Sequence, residues 1–261
     1  MTTIFNDPLF YIGVALLNIF MLQSYVPIQD VYFSYNAPSW SISNELFFYI
    51  LFPFLIYFFV KKFKGSFSKR FIISILLVYI GATLLVWFMR DSNLAHWLFY
   101  ISPMFRVLDF LIGIVLGLWF INKQASKQVS TRFMTFMEML ALCFLVLTFL
   151  FFPYIHQTLR FWGYYQPVMV FIIAVFAFQR GYISQIMSTK ILIYLGEISF
   201  SFYMIHQLVI RYATRIPFIN NQPILFLLLS LAMSLIGSHF IFKYYEIPMK
   251  DKIKNLNIFS K

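Results

Sequence analysis

The sequence predicts an all-α integral membrane protein, a polytopic bundle of about eight transmembrane helices. Of the 261 residues, 61% are hydrophobic and only 11% are charged, whereas a soluble domain carries about 25% charged residues. The apolar residues form long runs rather than the short alternating segments of an outer-membrane barrel. We therefore expect residues 1–261 to form a single domain embedded in a lipid bilayer.

Eight apolar segments are long enough to cross a bilayer, which takes about 20 residues. They lie at residues 8–26, 43–60, 71–89, 104–122, 133–153, 164–179, 191–211 and 223–243. The sixth is short and the seventh contains Gly196 and Glu197, so these two give the weakest signal. Glu246 and Pro248 follow the eighth segment and are expected to end its helix at the membrane interface.

The basic residues predict how these segments are oriented. Loop 61–70 holds five lysines and arginines, and the remaining lysines lie near 123–132, near 180–190 and in the tail after residue 242. The other side of the membrane has five arginines and no lysine. Because positively charged loops stay cytoplasmic, we expect a multi-pass protein of the bacterial inner (cytoplasmic) membrane with both ends of this chain in the cytoplasm. This asymmetry also accounts for the net charge of +11, so no nucleic-acid partner is expected.

Four ionisable side chains stand out within the apolar segments. Glu45 is near the start of the second, Arg106 and Asp109 lie three residues apart on one face of the fourth, and His206 is near the end of the seventh. The predicted topology places all four in the outer half of the bilayer. Charged groups within a bilayer are costly and usually face the bundle interior or a water-filled cavity, so these four are candidates for one shared polar site that faces outward.

Each candidate also has a purely structural interpretation. Arg106 and Asp109 fit an i,i+3 ion pair. Glu45 fits a carboxylate placed near a helix start by the helix dipole, and His206 fits a hydrogen-bonded packing residue. The residue types alone do not separate these roles from catalytic ones.

Three further ionisable residues have weaker functional signals. Glu197 is nine residues from His206, about 180° around a straight helix, so the two share no face unless the helix breaks near Gly196. His96 and His156 fall in outer loops, where solvated surface roles are expected.

Four stretches of the sequence resemble the acyltransferase-3 family of membrane acyltransferases. Residues 36–49, NAPSWSISNELFFY, are similar to the family signature Pro-Ser-Trp-Ser-x-Ser-x-Glu, which precedes an aromatic-rich span ending in Phe-Pro, here Phe52-Pro53. Residues 105–113 (FRVLDFLIG), 195–206 (LGEISFSFYMIH) and 245–248 (YEIP) follow in the order seen in the family. The resemblance covers nearly the whole chain, and its first stretch is the most specific.

The resemblance implies an enzyme that transfers an acyl group, commonly acetyl, from acyl-CoA to a hydroxyl. The implied acceptors are cell-envelope polysaccharides, such as lipopolysaccharide, or lipid-linked sugars. The implied donor substrate is acyl-CoA (acetyl-CoA), with no bound cofactor and no metal. Matched residue to residue, the family motifs fall on Trp40, Ser41 and Ser43 as substrate-binding residues and on Glu45, Arg106, Asp109 and His206 as catalytic residues.

The sequence departs from the family at its beginning. The family's first span carries an arginine and, eleven residues later, a histidine thought to be catalytic. This chain has no arginine before Arg70 and no histidine before His96, and segment 8–26 resembles the family's third span. The domain is therefore expected to be N-terminally incomplete and to lack the general base that activates the sugar hydroxyl, so little activity is expected of this chain alone.

Two other functions fit the same residues. A secondary transporter or flippase for an anionic or sugar substrate would line its pathway with such charges, although the sequence shows no internal repeat and no paired broken helices. An inactive truncated remnant of the enzyme is the other alternative. The acceptor sugar, the acyl chain and the oligomeric state remain open.

Overall fold

The computed structural model describes residues 8–63, 69–124 and 129–255. Every element in these ranges is helical, so the all-α prediction is confirmed. The α-helices are α1 (Pro8–Ile19), α2 (Gln29–Tyr32), α3 (Ser39–Phe63), α4 (Lys69–Phe88), α5 (Pro103–Gln124), α6 (Thr131–Phe151), α7 (Gln157–Phe161), α8 (Gln166–Phe176), α9 (Tyr182–Met187), α10 (Lys190–Glu197), α11 (Ser199–Ala213), α12 (Pro217–Asn220), α13 (Pro223–Ile241) and α14 (Ile247–Asn255). Lys64, Lys127 and Lys261, which contribute to the predicted orientation, lie outside the described residues.

Several of these helices can cross a membrane. In the described part of the chain, five stretches are long and apolar enough, or six if the bent pair α10 and α11 is one span. The five are Ser39–Lys61, Trp97–Lys123, Thr131–Tyr154, Gln157–Phe176 and Pro223–Asn255. Two shorter apolar helices, Pro8–Ile19 and Ile72–Phe88, coincide with the first and third predicted segments. A multi-pass helical membrane protein is therefore confirmed, while the count of eight spans stays a prediction.

The outward surfaces of these helices are apolar. Phe54, Leu77 and Phe88 are among the many large hydrophobic side chains that are exposed on the surface of the protein. A soluble protein exposes few contiguous apolar surfaces of this kind, whereas a bilayer covers them with acyl chains.

The first apolar segment is a shorter helix than predicted. Helix α1 ends at Ile19 instead of continuing to residue 26, and Met21 adopts a positive φ of 55°. The Ser43 hydroxyl donates to the Met21 carbonyl oxygen at 2.5 Å, and it also hydrogen-bonds the Ser24 hydroxyl at 2.6 Å. These tertiary bonds satisfy backbone groups that a continuous helix would have paired internally.

Two compact units make up the chain, and the first contains residues 1–34 and 40–187. Its hydrophobic core brings α4 and α5 together around Val86, Phe99, Phe105 and Trp162. The Phe105 and Trp162 rings meet edge to face with centroids 5.2 Å apart, a favourable aromatic geometry. This core fixes the outer part of α5, where Arg106 and Asp109 lie.

Helix α9 in the first unit is capped by side chains of α6. Glu138 is 0% exposed and accepts hydrogen bonds from the backbone N–H groups of Gly181 (3.1 Å), Ile183 (3.0 Å) and Ser184 (3.4 Å). The Ser184 hydroxyl also donates to Glu138. The N-terminal N–H groups of a helix have no partner within it, and this buried carboxylate supplies one.

The second unit contains residues 35–39 and 188–261, and its main contact is between α11 and α13. Ser230, Ser234 and Ser238 form a buried i,i+4 stripe on α13. Small residues let helices approach closely in membranes. The approach is close at Gly237, where an added Cβ would lie 2.7 Å from the Ile205 Cδ1 atom.

The helix of the seventh predicted segment is bent, and the helix of the eighth continues beyond residue 243. Helices α10 and α11 are bent by 61° at their junction. Beyond α13, a π-helical turn (Phe242–Glu246) leads directly into α14. The prediction that Glu246 and Pro248 end this helix is wrong, because the helical stretch continues through both residues to Asn255.

Candidate functional site

A polar cavity of about 420 Å³ lies beside α5 in the first unit. Its polar lining residues are Tyr100, Arg106, Asp109, Arg160, Tyr165 and Gln166. Two guanidinium groups and one carboxylate leave the cavity with a net positive charge, which favours an anionic or electron-rich ligand.

Arg106 and Asp109 form the ion pair that their spacing predicts. The Arg106 Nη1 atom lies 2.7 Å from Asp109 Oδ2, and the two side chains are 24% and 30% exposed. Nη1 also donates to the Phe161 carbonyl oxygen at 3.3 Å. Among the described residues, Arg106 Nε and Nη2 have no further hydrogen-bond partner, so these N–H groups can bind a ligand in the cavity.

The Gln166 side chain, at the start of α8, bridges the Asp109 carboxylate and the Gly163 backbone. Its Nε2 donates to Asp109 Oδ1 at 3.2 Å, and its Oε1 accepts from the Gly163 N–H at 2.6 Å. Gly163 has φ +93°, and an added Cβ would lie 3.1 Å from Thr83 Cγ2, so glycine suits this position. The Tyr79 hydroxyl donates to the Gly163 carbonyl oxygen at 2.5 Å, which completes a network that fixes the carboxylate.

Arg160 is a second cation in this cavity. Sequence analysis counted it only among the arginines of the outer side. Its guanidinium lies 4.0 Å from the centroid of the Phe152 ring, and its buried Nε has no hydrogen-bond partner in the described ranges. A buried N–H of this kind calls for an acceptor.

Aromatic rings connect the signature segment with this cavity. Trp40 is 9% exposed, and its ring centroid lies 5.0 Å from that of Tyr100. Tyr100 lies 5.2 Å from Phe161, whose carbonyl accepts from Arg106. The Trp40 side chain is therefore packed within the protein, and its substrate-binding role stays a prediction.

His96 lies in a box of aromatic side chains. Its ring centroid is 5.2 Å from that of Phe161, 5.4 Å from Tyr100 and 5.9 Å from Tyr32. The Tyr32 hydroxyl and His96 Nδ1 are hydrogen-bonded at 3.1 Å. Burial lowers the pKa of the His96 imidazole below its usual range. The prediction of a solvated surface role for His96 is wrong, because packing with residues distant in the chain half-buries it.

The other predicted residues of α3 have different surroundings. Ser43 is 1% exposed, and its hydroxyl is engaged by Ser24 and the Met21 carbonyl. Ser41 is half-buried. Glu45 Oε2 accepts a 3.3 Å hydrogen bond from the Tyr49 hydroxyl one turn along the same helix. The substrate-binding roles of Ser41 and Ser43 and the catalytic role of Glu45 stay predictions.

His206 belongs to the second unit. Its Nδ1 lies 2.7 Å from the Tyr203 carbonyl oxygen, and its ring stacks on Phe202 with centroids 6.0 Å apart. A carbonyl oxygen only accepts, so Nδ1 carries the proton, and Nε2 of the neutral ring is left with a free lone pair. On the same helix, α11, the Met204 carbonyl oxygen accepts a 2.9 Å hydrogen bond from the Asn36 side chain, so residues 35–39 pack against α11.

The structure thus pairs Arg106 with Asp109 and adds Arg160, Gln166 and His96 to their surroundings. None of these three was a sequence candidate. That Glu45 and His206 act together with the ion pair rests on the predicted topology alone.

Comparison with known proteins gives the same family as the sequence motifs. A family model described as an acyltransferase domain matches residues 4–243. A Staphylococcus aureus strain COL protein, named provisionally as an O-acetyltransferase, is 25% identical over 247 residues, which are 92% of this chain and 39% of that protein. The O-acetyltransferase OatA of Staphylococcus aureus strain NCTC 8325 is 22% identical over 218 residues, 82% of this chain and 36% of OatA. The chain therefore spans well under half the length of these curated relatives. No solved structure matches the chain.

Proposed function

Because the chain belongs to the acyltransferase-3 family, we propose that it catalyses O-acyl transfer. In this proposal an acyl group, acetyl in the first instance, moves from acyl-CoA to a hydroxyl of a cell-envelope polysaccharide or lipid-linked sugar. The O-acetyltransferase names of the relatives support this reaction class. The distribution of basic loops supports a place in the bacterial inner membrane with both ends of the chain in the cytoplasm.

Arg106 carries the proposal, because its geometry suits an oxyanion. Its Nη1 is held by Asp109 and the Phe161 carbonyl, while Nε and Nη2 are left for a ligand in the cavity. A guanidinium fixed in this way requires little reorganisation when negative charge develops on the thioester oxygen. The role of Asp109, itself held by Gln166, is to orient that guanidinium.

The chain has no histidine before His96, so we propose His206 as the general base. This proposal replaces the expectation that the chain lacks a base and has little activity. Its Nδ1–H is engaged by the Tyr203 carbonyl oxygen, which leaves Nε2 to accept a proton. The acceptor hydroxyl loses its proton to Nε2 as its oxygen bonds to the thioester carbonyl carbon. The C–S bond then breaks, and the departing CoA sulfur takes the proton back from the imidazolium. That His206 and Arg106 serve one reaction is inferred from the depth that the sequence predicts for both.

Glu45 has a supporting role in this scheme. Its carboxyl group lies near the start of the second predicted span, and Tyr49 is its hydrogen-bond partner within the helix. We propose that it binds the acceptor or stabilises the protonated histidine through charge.

The discontinuous helix in the second unit favours a second candidate, a secondary transporter or flippase for an anionic or sugar substrate. Transporters place substrates at broken helices, which occur in corresponding positions of two repeats. Within the described residues one bent pair, α10 and α11, meets this description, and no repeat partner is visible in the sequence. Transport therefore ranks below acyl transfer.

The test of the proposed function is acetyl transfer from labelled acetyl-CoA to extracted envelope glycan in membranes that contain the protein. Arg106→Ala is expected to lower turnover about 10²- to 10³-fold, as loss of an oxyanion donor does. Glu45→Gln and His206→Phe, which keeps a ring on Phe202, are expected to abolish it. Arg90→Ala is the matched control, since Arg90 pairs with Asp91 outside the cavity.

Membrane levels of every variant are measured by immunoblot, so that loss of protein is separated from loss of turnover. Wild-type transfer by Arg106→Ala and His206→Phe at normal protein levels would sink the assignment. Counterflow of sugar in liposomes without thioester consumption would favour the transporter.

A further inference from the structure

A second cavity adjoins the polar one in the first unit. Its volume is about 420 Å³, and it lies among α3, α4, α5 and α8. Ile112, Gln166 and Val170 line both cavities. A ligand bound in the polar cavity can therefore extend past these residues into the second one, which we call the apolar cavity.

The apolar cavity presents hydrocarbon to the group that fills it. Phenylalanine, isoleucine, leucine and valine side chains from the four helices line it. Tyr79 lines it too, but its hydroxyl donates to the Gly163 carbonyl oxygen, and the Gln166 amide is likewise engaged by Gly163 and Asp109. A polar ligand group would lose its hydrogen bonds to water there, whereas an alkyl chain is stabilised by leaving water.

The length of the apolar cavity is set along α5. Its lining on this helix runs from Leu108, beside Asp109, to Val115, a rise of about 10 Å at 1.5 Å per residue. A C–C bond of about 1.5 Å advances an extended chain by somewhat less than its length, so about eight carbons span this distance. Beyond Val115, the next cavity along α5 includes Asn122 and Lys123 in its lining, and such polar groups do not stabilise an alkyl chain.

The proposed function fixes one end of a chain in this cavity. Arg106 holds the thioester oxygen in the polar cavity, and its partner Asp109 lies at the level where the apolar cavity begins. The attacking hydroxyl is polar, and the pantetheine arm of CoA carries two amides that would lose their hydrogen bonds among hydrocarbon walls. The alkyl chain attached to the thioester carbonyl is the part of the reacting molecules that such walls stabilise.

We propose that the apolar cavity binds the alkyl chain of the donor thioester, so that the transferred acyl group has a medium length of about eight carbons. This assignment rests on the proposed function, which places the carbonyl end at Arg106. Leu108, Leu111 and Val115 then determine the specificity, because successive carbons of the chain meet them in turn. The relatives named as O-acetyltransferases are 25% and 22% identical to this chain, and the proposal gives this chain a longer acyl group than those names state.

The test is equilibrium binding of acyl-CoAs to the purified full chain in detergent, without an acceptor. The probes are acetyl-, hexanoyl-, octanoyl- and dodecanoyl-CoA, which differ only in chain length. Burial of each methylene group strengthens binding about three- to fourfold. Octanoyl-CoA is therefore expected to bind at least about a hundredfold more tightly than acetyl-CoA, and dodecanoyl-CoA no more tightly than octanoyl-CoA. Equal binding of acetyl-CoA and octanoyl-CoA would overturn the proposal, since it would mean that another group, such as a bilayer lipid, fills the cavity.

Two tryptophan substitutions measure how far the chain reaches along α5. Val115→Trp fills the far end of the cavity and is expected to weaken octanoyl-CoA binding about tenfold while leaving hexanoyl-CoA binding unchanged. Leu111→Trp, one turn nearer to Arg106, is expected to weaken the binding of both. Acetyl-CoA binding should stay unchanged in each variant.

Ile121→Trp is the matched control, because it adds the same side chain to α5 at a position that is 67% exposed and lines neither cavity. It should bind all four probes as the wild type does. Partitioning of the longer probes into detergent is the same for each variant and its control, so it cancels in the comparison. Equal octanoyl-CoA binding by Val115→Trp, Leu111→Trp and Ile121→Trp refutes the assignment. If Leu111→Trp does not fold, Leu111→Phe repeats the test at this position.

Acyl transfer to extracted envelope glycan is then measured with the same four donors. Binding that depends on chain length, together with no transfer from any donor, would remove the proposed function and leave the chain-binding cavity in place. Transfer together with binding that does not depend on chain length would remove the cavity assignment and leave the proposed function.

Discussion

Replacing Glu138 by alanine is expected to destabilise the first unit strongly. The Glu138 carboxylate is fully buried and accepts the backbone N–H groups of Gly181, Ile183 and Ser184, together with the Ser184 hydroxyl. Alanine leaves these donors without acceptors at a position inside a predicted span. In lipid no water reaches such groups to replace the lost bonds.

The size of the effect follows from those four donors. A single hydrogen bond to a charged acceptor contributes about 1.5–3 kcal/mol, but bonds to one carboxylate do not add independently. Removing one side of a buried charged network costs about 3–5 kcal/mol. For a chain of this size that corresponds to a fall in melting temperature on the order of 10 °C.

The assay is thermal unfolding in detergent, followed by the loss of the monodisperse peak in size-exclusion chromatography. Gly181→Ala is expected to behave similarly, since an added Cβ would lie 2.1 Å from Glu138 Oε2. Glu197→Ala, which removes an exposed carboxylate from α10, is the control and should melt with the wild type. A Glu138→Ala protein that melts together with this control would show that the cap contributes little, and the reasoning would be refuted.

Two predictions concern His96. The first assumes that His96 positions Tyr100 and Phe161 through packing. His96→Ala should then lower acyl transfer, and His96→Phe should restore it. A chemical role for His96 would instead leave His96→Phe as inactive as His96→Ala. Because burial lowers the folded-state pKa of His96, the unfolded chain binds more protons below about pH 6.5. Its contribution to stability is therefore complete above that pH and falls as the pH drops toward the folded-state pKa. Thermal unfolding from pH 7.5 to 5 should show this loss in the wild type and a smaller one in His96→Phe, and equal losses would contradict the assignment.

The fold class and the ion pair could be predicted because they depend on local patterns. Composition and run length are sufficient to show membrane helices, and a three-residue spacing places Arg106 and Asp109 on one face. The residues that hold this ion pair in place could not be predicted in the same way. Gln166 is 57 residues from Asp109 and Phe161 is 55 residues from Arg106, and no periodicity reports such contacts.

Three functional or structural side chains were missed for separate reasons. Arg160 was treated as a loop charge because it precedes the short sixth segment, yet it lines the polar cavity. His96 was treated as solvated because its aromatic neighbours Tyr32 and Phe161 lie far away in the chain. Glu138 had a usable signal, since a lone carboxylate inside the apolar run 133–153 is costly and should have indicated a buried partner.

The bend in the second unit changes an argument that assumed a straight helix. Glu197 and His206 were predicted to face opposite ways unless the helix breaks near Gly196, and α10 does end at Glu197, with a 61° bend before α11 begins at Ser199. The nine-residue spacing therefore no longer determines their relative direction. Glu197 is exposed. The spacing argument therefore no longer shows that Glu197 and His206 point in opposite directions.

Polar contacts, rather than the local sequence, account for this bend. Gly196 weakens the helix without ending it, since glycine costs only about 1 kcal/mol relative to alanine. On one side of the bend the Tyr194 hydroxyl is hydrogen-bonded to His239 Nδ1. On the other side the Ser201 hydroxyl donates to Glu246 Oε2 at 2.8 Å. On a straight helix Tyr194 and Ser201 would lie on nearly the same face, since seven residues are almost two turns. Their partners nevertheless lie on different segments, α13 and the π-helical turn. Each half of the broken helix is thus held by its own partner, and the bend belongs to the tertiary structure of this unit.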